Sequence, residues 1–71
     1  MQTQTVDAIR SYRLCFRDSN NVLARTFDVD MPSDDEVRDL AALMLEEQGA
    51  HACAEVWDRA RLVCTVRREV Q

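Results

Sequence analysis

A single glycine, a single proline and no lysine distinguish this chain of 71 residues. One glycine excludes the phosphate-cradling loops, which need several glycines so that backbone can approach the phosphates. With only one proline beside it, there is also little room for long irregular loops. No stretch approaches the ~20 apolar residues of a membrane span. The opening Met-Gln-Thr-Gln-Thr is polar, so no secretory leader is expected. Cys15, Cys53 and Cys64 are odd in number and unevenly spaced, which does not make a disulfide framework. A reducing cytoplasm is the expected setting. All nine basic residues are arginine, which points to a GC-rich genome more than to a function.

What is present is an ordinary globular composition, 46% apolar and 31% charged, which argues against disorder. The length allows one domain, residues 1–71. A chain this short buries only about 60% of the surface it exposes when unfolded, so a partner subunit is a natural source of extra core. The net charge of −4 hides an asymmetry. Residues 28–47 hold eight acids and Arg38, for −7, while the remainder holds five acids and eight arginines, for +3. The middle is therefore acidic and the two flanks are basic.

The flanks nearly repeat one another. Cys15-Phe16-Arg17-Asp18 leads through a turn into Val22-Leu23-Ala24-Arg25-Thr26-Phe27, and Glu55-Val56-Trp57-Asp58 leads through a turn into Leu62-Val63-Cys64-Thr65-Val66. Each reads as a β-hairpin. In the first strand, residues 11–17, Tyr12, Leu14 and Phe16 alternate with Arg13, Cys15 and Arg17. Asp18-Ser19-Asn20-Asn21 is a turn signal, because Asn tolerates positive φ. The second strand, residues 22–29, places Arg25 on the face of Leu23, Phe27 and Val29, which requires an edge position or a bulge. Residues 1–9 are expected to fray, or to extend the first strand through Val6 and Ile9.

Between the hairpins, Ser33 and Glu36 form a capping-box pattern after Pro32. Asp34 and Asp35 then favour the positive end of a helix dipole. Val37, Leu40, Ala41, Met44 and Leu45 follow helical spacing, and Gly49 stands where a left-handed C-cap belongs. A helix is predicted over residues 34–48. Strands follow over residues 52–57 and 61–68, with Asp58-Arg59-Ala60-Arg61 as a turn lacking Gly or Asn. In the third strand Ala52, Ala54 and Val56 alternate with Cys53, Glu55 and Trp57. In the fourth, Leu62, Cys64 and Val66 alternate with Val63, Thr65 and Arg67. The fold class is α+β in ββαββ order, a four-stranded, mostly antiparallel sheet with one helix packed on one face.

The other face has no second layer. By parity it carries Arg13, Arg17, Glu55, Trp57, Thr65 and Arg67, the candidate interaction residues. No catalytic, cofactor or metal residue is assigned. The cysteines fall in mid-strand rather than at the turn-borne Cys-x₂₋₄-Cys spacing of zinc sites, with Cys64 opposite in parity to Cys53. His51, expected as an exposed residue leading into the third strand, is ~7 Å along the chain from Cys53, too far for a nucleophile pair. The acids of residues 28–36 lack the loop spacing of a calcium site and read as helix capping and a solvated face.

Two readings of the open face follow. A Trp among arginines suits an interface with a second copy or another protein, because both are enriched at hot spots. It also suits stacking of single-stranded nucleic acid, although dedicated binders are usually basic overall. The primary expectation is a small, non-enzymatic cytoplasmic interaction module, a homodimer or bound to another protein, without cofactor, metal or membrane contact.

Tyr12-Arg13-Leu14-Cys15-Phe16-Arg17-Asp18 and Glu55-Val56-Trp57-Asp58-Arg59-Ala60-Arg61-Leu62-Val63, set around an acidic-start helix, resemble short uncharacterised alphaproteobacterial proteins of the same strand-strand-helix-strand-strand order, a domain of unknown function. The resemblance spans most of residues 11–66. It implies the same fold and carries no activity or site. Members often have Gly in the second turn, where this chain has Asp58-Arg59-Ala60.

Overall fold

Asp18 opens the first hairpin turn and holds it closed. Its Oδ1 accepts from the backbone N–H of Asn20 (2.9 Å) and of Val22 (3.0 Å), while Asn21 takes the positive φ of 65°. Asparagine adopts that left-handed conformation more readily than most residues. The turn joins β1 (Arg10–Arg17) to β2 (Leu23–Met31). A helix, α1 (Asp34–Glu47), crosses to a second hairpin of β3 (Cys53–Asp58) and β4 (Arg61–Arg67). These elements come from a computed structural model that describes residues 9–68. The expected fraying or extension over residues 1–9 falls almost wholly outside the described residues.

The four strands form one antiparallel sheet in the order β2-β1-β3-β4. The two hairpins join through their first strands, so β1 and β3 are central and β2 and β4 are the edges. Tyr12, Leu14 and Phe16 of β1 lie beside Ala54 and Val56 of β3 and beneath Val37, Ala41 and Leu45 of α1, all buried. Ala54 is fully buried, consistent with a small residue where helix and sheet meet closely. Partly buried Phe27, Val29, Leu40, Met44, Cys64 and Val66 extend this core toward the edges.

The helix begins as its sequence predicts. Ser33 is extended (φ −152°, ψ 161°), and its Oγ accepts from Glu36 N–H at 3.2 Å, satisfying one of the helix's free amino-terminal donors. Its end differs from expectation. Gly49 does not adopt positive φ and so supplies no left-handed cap. Instead Arg68, just past β4, donates from Nε to the carbonyl of His51 (2.9 Å) and from Nη2 to the carbonyls of Gln48 (3.0 Å) and Leu45. A guanidinium thus caps the negative end of a helix whose last turn holds no basic residue.

Two further sequence expectations are corrected, and the alternative left open at Arg25 is resolved. His51 is buried rather than exposed, its ring 5.3 Å from that of Phe16 and its Nε2 3.1 Å from Gln48 Oε1. The Gln48 oxygen can only accept, which assigns the proton to Nε2 and leaves buried Nδ1 without a partner. At Arg25, the edge position and the bulge occur together. Phe16 pairs with Arg25 but Arg17 pairs with Leu23, so Ala24 is the extra residue; Arg25 lies at the edge, 5.8 Å from the Phe27 ring centre. Finally, Leu62 does not share a face with Cys64 and Val66. Val56 pairs with Cys64 and Trp57 with Leu62, so Val63 is the extra residue and packs on the core.

Candidate functional site: the uncovered sheet face

Strand pairing brings all six candidate residues to the face opposite α1. Arg13 lies across from Trp57 on the two central strands, and Arg17 lies across from Cys53. On the other side of β3, Glu55 lies across from Thr65 and Cys53 from Arg67. Residues opposite one another in a ladder project from the same face. Phe16, paired with Ala54, is fully buried beneath the helix, while Trp57 points the other way and is half-buried.

The same pairing adds residues that parity alone did not assign. Asp28, which the sequence groups with the acidic middle, sits in β2 opposite Arg13. Its Oδ1 accepts from Arg13 Nε at 3.0 Å. That bond and the attraction between the charges hold the Asp28 carboxyl below the usual carboxylate range. The two bulges bring Leu23 and Leu62 to this face by pairing with Arg17 and Trp57; both are exposed. No signal short of the register reveals them, because one extra residue inverts the parity of everything beyond it.

The centre of the face is an ordered polar lattice. Arg17 Nε lies 3.4 Å from Glu55 Oε1, with both side chains largely sheltered. The indole N–H of Trp57 donates to the same Glu55 oxygen at 3.3 Å. Ser11 donates to Asp30 Oδ1 at 2.8 Å. Along the strands, Arg13, Arg17 and Arg67 are matched by Asp28, Asp30 and Glu55, so this surface is charge-balanced although the flanks of the sequence are basic. A shallow depression of about 560 Å³ lies beside Trp57, lined by Arg13, Cys15, Asp28 and Arg59 among others.

The thiols are divided between the two faces. Cys15 and Cys53 belong to the open face, whereas Cys64 packs on the core, and all three are free. Burial is the main influence raising the Cys15 and Cys64 thiols above the ordinary range, which disfavours the reactive thiolate. Among the described residues, no group of three or more His, Cys, Asp or Glu side chains is gathered as a metal ion requires. No described helix is long and apolar enough to cross a membrane.

A second polar cluster lies on the helix side. Buried Tyr12 donates its hydroxyl to Asp34 Oδ1 at 2.6 Å. Arg61 reaches Asp34 at 3.5 Å and Asp58 at 2.9 Å, and Arg10 reaches Asp58 at 3.2 Å. The cluster ties the start of α1 to the second hairpin turn. The Tyr12 hydrogen bond, aided by Arg61, lowers the Asp34 pKa, while burial and then Asp34 raise that of Tyr12.

These shifts act at opposite ends of the pH scale. Asp34 binds its proton more weakly when folded, so its stabilisation is full above the unfolded carboxylate value and is lost as pH falls through the carboxylate range. Tyr12 binds its proton more tightly when folded, so its stabilisation is full below the ordinary tyrosine value and is lost as pH rises through the raised one. Tyr12→Phe is therefore expected to soften the acid limb and remove the tyrosine part of the alkaline limb. At neutral pH, loss of the hydroxyl's hydrogen bond costs about 1 kcal/mol. Urea unfolding across the pH range checks this; unchanged limbs would show that the contact does not persist in solution.

Comparison with known proteins finds no matching family model, no matching curated protein and no matching solved structure.

Proposed function

We propose that this chain is a small, non-enzymatic, cytoplasmic module that associates through its open sheet face, with a second copy of itself or with another protein. The observation that carries this reading is the one-sided sheet. Among the described residues a single helix covers one face, and the other presents a half-buried Trp57 within a charge-balanced lattice. A short chain gains the core it lacks by covering such a face.

The edges support a face-on contact over strand addition. Both edge strands, β2 and β4, carry a bulge against their neighbours, at Ala24 and Val63. Bulged edges are a common defence against pairing with another sheet. Nucleic-acid stacking at Trp57 is the less favoured occupant, because Arg13 and Arg17 are already matched by Asp28 and Glu55. Phosphates would have to compete with carboxylates fixed beside them.

Sedimentation velocity over a concentration series, combined with acrylamide quenching of the single Trp, tests the self-association arm. The expected result is a concentration-dependent dimer in which Trp57 becomes less accessible. A monomer at all concentrations with unchanged quenching overturns it. Salt-sensitive quenching by a single-stranded oligonucleotide, without dimerisation, would favour the nucleic-acid reading instead.

A further inference from the structure

Two sheets packed through identical faces are related by a two-fold axis lying between them, and the register shows what each choice of axis brings together. With the axis perpendicular to the strands and through the row of Cys15 and Glu55, Arg13 falls over the partner's Arg17. Glu55 falls over the partner's Glu55. Both are like-charge contacts, which oppose association. Shifting that axis half a row toward Trp57 sets the Trp57 ring against the partner's Glu55, placing a carboxylate on the negative face of an aromatic; half a row the other way carries Trp57 past the start of the partner's β3 and leaves it without a facing strand residue.

An axis parallel to the strands, between β1 and β3, gives a different set. It places β1 of one copy over β3 of the other in the same row. Arg13, the cross-strand partner of Trp57 within one copy, then lies over the partner's Trp57. Cys15 lies over the partner's Glu55, and Thr26 over the partner's Thr65. No like charges meet.

The side chains are disposed for this contact. The edge of the Trp57 indole is engaged through its N–H to Glu55. Among the described residues, the cation that lies over an aromatic ring is Arg25 on Phe27, so the Trp57 ring has no cation of its own. Arg13 is exposed and bonds Asp28 through Nε and Nη2. A guanidinium can keep a carboxylate in its plane while its flat face stacks on an aromatic.

We propose that two copies pack open face to open face about a two-fold axis parallel to the strands, each Arg13 stacking on the partner's Trp57. This rests on the self-association reading and adds the partner and its orientation. In such a dimer the Arg13–Trp57 contact occurs twice, once in each direction.

Mixing of variants tests the arrangement. Arg13→Ala and Trp57→Ala are each expected to weaken the dimer at least about tenfold, with secondary structure retained by circular dichroism. An equimolar mixture is expected to form a heterodimer about tenfold tighter than either variant's homodimer, because one intact Arg13–Trp57 contact is restored between chains. Arg13→Lys, which keeps the cation, should retain part of the wild-type affinity. If the wild type dimerises but the mixture is no tighter than the variants alone, or if Arg13→Ala tightens the dimer, this orientation is wrong and self-association stands. A wild type that stays monomeric removes the proposal and its premise together.

Discussion

Replacing Arg68 by Ala is expected to lower the unfolding free energy by about 3 kcal/mol, a large share of the ~4–10 kcal/mol typical of a chain this size. The guanidinium is partly buried and donates to the carbonyls of Leu45, Gln48 and His51. Those acceptors lie at the negative end of α1 and in the link to β3, so the side chain joins the end of the sheet to the end of the helix. Charge-assisted hydrogen bonds are stronger than neutral ones, and removing their donor leaves sheltered carbonyls with fewer partners. Arg68→Lys should recover only part of the loss, because one ammonium on a flexible stem does not reproduce the planar fork. Gly49→Ala is the informative control. A Cβ there meets nothing within 4 Å, and the backbone is not at positive φ. This substitution is expected to be neutral or to stabilise by about 0.5 kcal/mol. Urea melts of the three variants check the set. A damaging Gly49→Ala beside a silent Arg68→Ala would restore glycine as the cap.

The contrast between Arg68 and Gly49 shows which features can be read along the chain. Ser33 and Glu36 are three residues apart, so their cap is visible as a local pattern, as is the positive φ at Asn21. Arg68 lies 20 residues from Gln48, and only the docking of β4 beside β3 brings it to the helix end. His51 escaped for a related reason. A polar residue between a helix and a strand reads as exposed, and only tertiary packing places its ring against Phe16. Strand parity distributed the central residues correctly because β1 and β3 pair without interruption. It failed at Leu62, beyond a bulge in an edge strand. The six candidate residues could therefore be assigned to one face, whereas the carboxylates of Asp28 and Asp30 that balance their charge emerged only with the register.

Phe16 and Trp57 occupy corresponding places in the two hairpins, yet their truncation is expected to affect different properties. Phe16 is fully buried, with Phe27 edge-on at 5.7 Å and His51 at 5.3 Å. Phe16→Ala opens a cavity between helix and sheet and is expected to cost about 3–5 kcal/mol, enough to leave much of the chain unfolded. Trp57 is half-buried on a face with no second layer among the described residues. Trp57→Ala leaves no enclosed cavity, and the expected loss within one copy is about 1–2 kcal/mol. Its larger expected effect is on association, at about 2 kcal/mol or more for an aromatic anchor at the centre of an interface. Circular dichroism melts and sedimentation separate the two effects. Phe16→Ala should lose its folded signal, while Trp57→Ala should keep that signal and lose the dimer. Equal destabilisation by both, with no change in mass, would mean that Trp57 serves only its own chain and that the open face has another occupant.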